Sequence, residues 1–172
     1  MKCLPSVTAF VVVAVLMHAD VRGQGSNTPP PEMKVLEKLL GTWKVENIGK
    51  VPEATRSTST HKRELILGGR FVEDKGFDDQ GKPISSGMYT YDAGKRAYRW
   101  WFFDQSGFYV EATGSWDESR RTFTFTNKQG WGDTGVTTIR FRDETAFDWT
   151  ITGKDTGGKV VFQAEGEAVR QK

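Results

Sequence analysis

Gly41-Thr42-Trp43 follows a short helical stretch, residues 32–40, and opens a run of alternating strands that fills the rest of the chain. Glycine lets the backbone turn sharply out of the helix. Tryptophan supplies a ring large enough to plug one end of a closed sheet. In this setting the tripeptide predicts a small β-barrel sealed from the helix side.

Working outward toward the C-terminus, strands are expected at 42–50, 58–67, 70–77, 84–92, 97–103, 108–116, 122–127, 136–142, 146–152 and 159–170. Turn chemistry separates them: Gly68-Gly69, Asp79-Gln80-Gly81-Lys82-Pro83, Asp92-Ala93-Gly94-Lys95, Asp104-Gln105-Ser106-Gly107 and Asp155-Thr156-Gly157-Gly158. About ten short strands with hairpin-length links predict an all-β, antiparallel up-and-down barrel, since a Greek-key sandwich needs longer crossovers. Closure also removes the edges that so many strands would otherwise expose.

Toward the N-terminus, Met33, Leu36, Leu39 and Leu40 recur at helical spacing, with Lys34, Glu37 and Lys38 on the other face. So short a helix is unstable alone and must dock on the barrel, at its floor or open edge. Residues 24–31, ending in Pro29-Pro30-Pro31, read as a flexible Pro-rich linker, and Pro31 suits the helix's first turn. Residues 1–23 read as a signal peptide: Met1-Lys2, an apolar run over 7–17, then a polar stretch, with cleavage between Gly23 and Gln24. The apolar run is short for a bilayer span, and Cys3 precedes it, where a lipoprotein cysteine would follow. The mature protein is therefore expected to be secreted or periplasmic, with no stable membrane anchor.

Composition narrows the chemistry. Cys3 is the single cysteine and leaves with the leader, so no disulfide, thiolate nucleophile or cysteine metal site is expected. Export without disulfides fits a bacterial protein. The formal net charge is +2, and losing Lys2, Arg22 and Asp20 brings it nearer neutrality, giving no reason to expect nucleic acid or an anionic membrane as partner.

Leu39-Leu40-Gly41-Thr42-Trp43, Leu67-Gly68-Gly69-Arg70-Phe71-Val72 and Tyr91-Asp92-Ala93-Gly94-Lys95-Arg96-Ala97-Tyr98 resemble a family of exported bacterial proteins with a lipocalin-like (calycin-type) domain of unknown function. The likeness spans residues 32–170. It implies a lipocalin-like barrel over 32–172 behind a signal peptide, and it implies no activity or catalytic residues. It further implies that a basic residue of the last strand packs across the first-strand tryptophan. Gly41, Trp43 and Arg170 would then close the barrel, with a frayed terminal Arg170 as the alternative.

The aromatic content points furthest toward function. Tyr98-Arg99-Trp100-Trp101-Phe102-Phe103 puts aromatics on both faces of one strand. Tyr98, Trp100 and Phe102 share a face with Tyr89 and Tyr91 across the preceding hairpin, while Arg99, Trp101 and Phe103 share the other. One set lines the interior. The other is covered by the helix or forms a surface patch, and alternation alone leaves the choice open. On the next strand Phe108, Val110, Ala112, Gly114 and Trp116 form the apolar, inward series. These rings either fill a solid core or line a cavity for a small molecule. The candidate lining is Tyr89, Tyr91, Tyr98, Trp100, Phe102, Arg99 and Arg140. An inward Arg99 or Arg140 would take a ligand carboxylate, with exposure on the outer face as the alternative for each.

His61, the sole histidine outside the leader, falls among Ser and Thr residues and is expected to face solvent, which argues against haem ligation or a Ser-His-Asp triad. No phosphate loop, nucleophile elbow or zinc spacing is present, so no catalytic residue, metal or cofactor is expected. The reading is a carrier or sensor for a small hydrophobic or amphipathic molecule. The alternative is a protein-interaction module, such as a homodimer, with a filled barrel and an exposed aromatic face. An enzyme acting on a sequestered lipid-like substrate ranks last.

Overall fold

Ten strands follow one another around a closed ring, each antiparallel to its neighbours in sequence. They are β1 (Gly41–Val51), β2 (Thr55–Ile66), β3 (Phe71–Phe77), β4 (Pro83–Asp92), β5 (Ala97–Asp104), β6 (Tyr109–Asp117), β7 (Thr122–Asn127), β8 (Thr134–Phe141), β9 (Ala146–Lys154) and β10 (Val160–Arg170). β1 pairs with β10, Trp43 opposite Arg170, so the described sheet has no free edge. This is the expected all-β, up-and-down barrel. The computed structural model describes residues 28–172; the leader 1–23, its cleavage point, Cys3, His18 and linker residues 24–27 lie outside the described residues.

The expected helix over 32–40 is shorter and split. A single α-turn, α1 (Met33–Leu36), passes into a 3₁₀ turn, Glu37–Leu39, and Leu40 is already extended. Met33 and Lys34 N–H groups bond the Pro30 and Pro31 carbonyls, so the prolines form the entry turn. Met33, Leu36 and Leu39 are buried on the barrel floor beside Trp43. Tightening to a 3₁₀ turn sets the last carbonyls where barrel groups take them. Trp43 Nε1 donates to Leu39 O at 2.7 Å, and Arg170 donates to the carbonyls of Lys38 and Leu40. The Arg170 guanidinium lies 4.3 Å over the Trp43 ring and bonds Glu144 O through Nε. Helix, first strand and last strand are thus tied at one point.

The structure resolves which face of β5 is inside. Tyr98 and Trp100 are buried and Phe102 packs against the core, whereas Arg99, Trp101 and Phe103 face out. The helix covers only the floor, so the outward aromatics have another environment. Arg99 lies 5.2 Å over Trp101, and Phe103 remains 46% exposed. Val110 and Ala112 of β6, Phe123 and Phe125 of β7, and Ile139 and Phe141 of β8 are all buried. The lower half of the barrel is a packed aromatic core. Phe123 contacts Tyr98 at 5.2 Å, Trp116 at 4.6 Å and Phe125 at 5.8 Å.

Candidate functional site

Above this core the barrel is hollow. A cavity of about 700 Å³ runs to the end opposite the helix, reaching Glu53 of the β1–β2 turn and Gln105 and Ser106 of the β5–β6 turn. Its size is ordinary for a small-molecule site. The walls are divided. Trp100, Phe102, Ile139, Phe147, Trp149 and Phe162, from β5 and β8–β10, supply an apolar half. Asn47, Ser57, Ser59, His61, Arg63 and Asp74, from β1–β3, supply a polar half. Strand alternation explains the polar side: β2 projects Ser57, Ser59, His61 and Arg63 inward in turn.

The polar half is organised around Asp74. Its Oδ1 meets His61 Nδ1 at 2.9 Å and its Oδ2 accepts Arg63 Nε at 2.9 Å. Arg63 and Asp74 are 8% and 7% exposed, so this is an ion pair inside the barrel. Burial works to raise the Asp74 carboxyl, but the charges and hydrogen bonds of Arg63 and His61 prevail and hold it at about 2. Burial likewise works to lower the Arg63 pKa, and the Asp74 charge reverses that, leaving it raised. The Tyr89 hydroxyl is pushed up by burial and stays protonated. Arg63 Nη1 is buried without a hydrogen-bond partner, as are Thr137 Oγ1 and Trp149 Nε1. A buried donor left unspent is costly.

At the mouth, Trp131 folds inward from the segment joining β7 to β8. Its ring stacks on Phe162 at 4.6 Å and meets Phe108 at 4.6 Å and Phe102 at 5.7 Å. Gly130 and Gly132, at φ 111° and 134°, let the chain make this excursion. A Cβ on Gly153 would collide with the Trp131 carbonyl, so the missing side chain seats the strap.

Of the residues expected to line the cavity, Tyr89, Trp100 and Phe102 are on its wall. Tyr91 and Tyr98 are not. They share the inward phase but lie nearer the floor, where Tyr98 donates to Glu32 O at 3.3 Å and meets Tyr91 at 5.1 Å. Burial, with the Glu32 charge second, pushes the Tyr98 hydroxyl up to about 12. Arg99 and Arg140 point outward, which corrects their candidacy. Arg99 pairs with Glu111 and Asp92, and Arg140 with Asp148 at 2.8 Å, all across neighbouring strands. Each is out of phase with the buried aromatics beside it, so the pleat sends it to the outer face. His61 is corrected in the other direction: it lines the cavity.

Arg63 and Asp74, the inward charged pair, escaped sequence reasoning. A signal was available. Pairing across Leu67-Gly68-Gly69 sets Leu65 opposite Val72 and Arg63 opposite Asp74, and buried Val72 fixes Asp74 as inward by period two. Trp131 was hidden because it sits outside any strand.

No curated protein matches the sequence. Among solved structures, Rv2717c from M. tuberculosis is similar at TM-score 0.62 and 14% identity, covering 84% of this chain and all of that one. An S-type phycobiliprotein lyase, CPES, from Guillardia theta is similar at TM-score 0.53 and 15% identity, covering 81% of this chain and 92% of that one. A Nostoc punctiforme protein of unknown function from the DUF3598 family is similar at TM-score 0.50 and 14% identity; the match covers 79% of this chain but only 48% of that one. At these identities the likeness concerns the fold alone. The family model described as protein of unknown function, DUF1579, matches residues 28–155, and the chain belongs to that family.

Proposed function

We propose that this protein is a non-catalytic carrier or sensor that holds one small amphipathic molecule inside its barrel. The observation that carries the reading is the two-faced cavity, aromatic on β5 and β8–β10 and polar on β1–β3. A purely apolar guest would leave His61 Nε2 and the hydroxyls of the polar wall unbonded, and a purely polar one would waste the aromatic wall. Signal-like residues 1–23 support work outside the cytoplasm, with the mature chain starting at Gln24.

A fluorescence titration with N-phenyl-1-naphthylamine, a neutral apolar probe, tests the reading. It is expected to show a single saturable site with energy transfer from the cavity tryptophans. Ala164→Trp, which fills the cavity from β10, is expected to abolish the signal in a protein whose circular dichroism is unchanged. Saturable binding that survives Ala164→Trp, or none in the unaltered protein, would contradict it.

A second reading rests on Phe103 and Tyr109, register partners on the outer face of β5 and β6, 46% and 61% exposed. An adjacent exposed aromatic pair is a candidate contact for a second copy of the chain. Light scattering that gives a dimer, reduced to monomer by Tyr109→Lys, would favour it; a monomer at all concentrations would remove it.

A further inference from the structure

The polar end of the cavity carries a specific chemical preference. Asp74 has both oxygens engaged, one by His61 Nδ1 and one by Arg63 Nε. With His61 neutral, the charges of Arg63 and Asp74 cancel. Two capacities remain. His61 Nε2, on the far side of the ring from Asp74, has no hydrogen-bond partner in the protein, and the Arg63 guanidinium, on the cavity wall, is bonded only through Nε. Beside Nε2 the floor is Gly76: a Cβ there would stand 3.4 Å from His61 Nε2 and would collide with the Ser85 hydroxyl. His61, Gly76 and Ser85 are register partners across β2, β3 and β4, so the glycine brings imidazole and hydroxyl together over one gap.

We infer that the guest's polar end is an acid, held as an anion by His61 and Arg63, with His61 carrying the proton. The inference rests on the carrier reading above. A neutral acid would hand its proton to Nε2, giving a carboxylate and an imidazolium. A carboxylate arriving already ionised would bind together with one proton from solution. In both cases Asp74 steadies the imidazolium from its other side, and the cluster remains balanced, two cations against two anions. A cationic guest is disfavoured because Arg63 is present and Asp74 is fully engaged. An alcohol or ester would gain a hydrogen bond and no ion pair.

The groups facing His61 agree with this. Asp74 comes from β3, Arg63 lies along β2, and protonated Tyr89 comes from β4, while β1 presents Trp43 and Val45 on this side. The other wall carboxylates, Glu53 and Asp104, belong to the turns and strand end at the mouth. The unengaged wall carboxylates therefore lie at the entrance, while the base offers His61 Nε2 and Arg63 beside a carboxylate already bonded, which orients an amphipathic acid head-down.

Isothermal titration calorimetry of the full mature protein with dodecanoic acid, methyl dodecanoate and dodecan-1-ol tests this. Each titration is run at one neutral pH in buffers of differing protonation enthalpy. The acid is expected to bind about 10- to 100-fold more tightly than the ester or alcohol. Its apparent enthalpy should vary with the buffer, reporting uptake of up to one proton, while that of the alcohol should not. His61→Gln should erase both the preference and the uptake; the wild-type buffer dependence remains diagnostic should that variant fail to fold. Equal affinity for all three compounds, or acid binding without proton uptake, would overturn the inference and leave the carrier reading standing. Ester cleavage lost in His61→Gln would overturn it too, by making His61 a general base. If N-phenyl-1-naphthylamine also fails to bind, both readings fall.

Discussion

Asp74 holds its position in the fold by being charged. Its carboxyl sits at about 2 in the folded protein, against roughly 3.9 in an unfolded chain. A depressed carboxylate contributes stability that is complete above the unfolded value and is lost as pH falls through the folded one. Urea unfolding is therefore expected to weaken by about 2 kcal/mol between pH 4 and pH 2 on account of this residue. Asp74→Asn should destabilise the protein at pH 6, leave Arg63 uncompensated, and flatten that acid slope. An unchanged slope in the variant would refute the assignment. Arg170 acts at the other end of the barrel, where it spans the Trp43 ring and three carbonyls. Arg170→Ala should cost about 2–3 kcal/mol in urea unfolding, and Arg170→Lys should recover only part, since an ammonium cannot reach several acceptors in one plane. A loss under about 0.5 kcal/mol would show the latch to be incidental.

At the level of elements, the strands were legible because turn residues punctuate them and apolar positions alternate, as in Phe123 and Phe125 or Ile139 and Phe141. The expected limits fall within a few residues of those found. β2 was legible as a strand but not in its facing. Both of its faces are polar, so alternation cannot say that Ser57, Ser59, His61 and Arg63 point in. That ambiguity hides the polar half of the cavity, whereas the strands of Arg99 and Arg140 carry a clear apolar alternation. The Trp131 strap was illegible for a different reason: its placement depends on a long-range seat on Gly153, which no local pattern encodes. Gly153→Val should expel the strap. Acrylamide quenching of tryptophan is expected to rise while the far-ultraviolet dichroism of the barrel is kept. Quenching equal to that of the unaltered protein would show that the strap does not depend on this contact.

For the whole molecule, closure is complete and one end is sealed. The sheet joins β1 to β10, the helix and its 3₁₀ turn plug the floor, and aromatic rings fill the lower barrel. Inside the barrel, among the described residues, a two-faced chamber stays open at the opposite end. A barrel built only for stability would carry its packing through to the mouth, and would not hold the Arg63–Asp74 ion pair and His61 on the wall of an unfilled space. The division of the wall between aromatic and charged halves is what the carrier reading explains. The most direct measurement is native mass spectrometry of the mature protein taken from its own source, followed by the denatured spectrum. A small mass carried at one copy per chain and released on denaturation is the expected result. A chain of bare mass in both spectra, together with no uptake of added dodecanoic acid or N-phenyl-1-naphthylamine, would contradict the account.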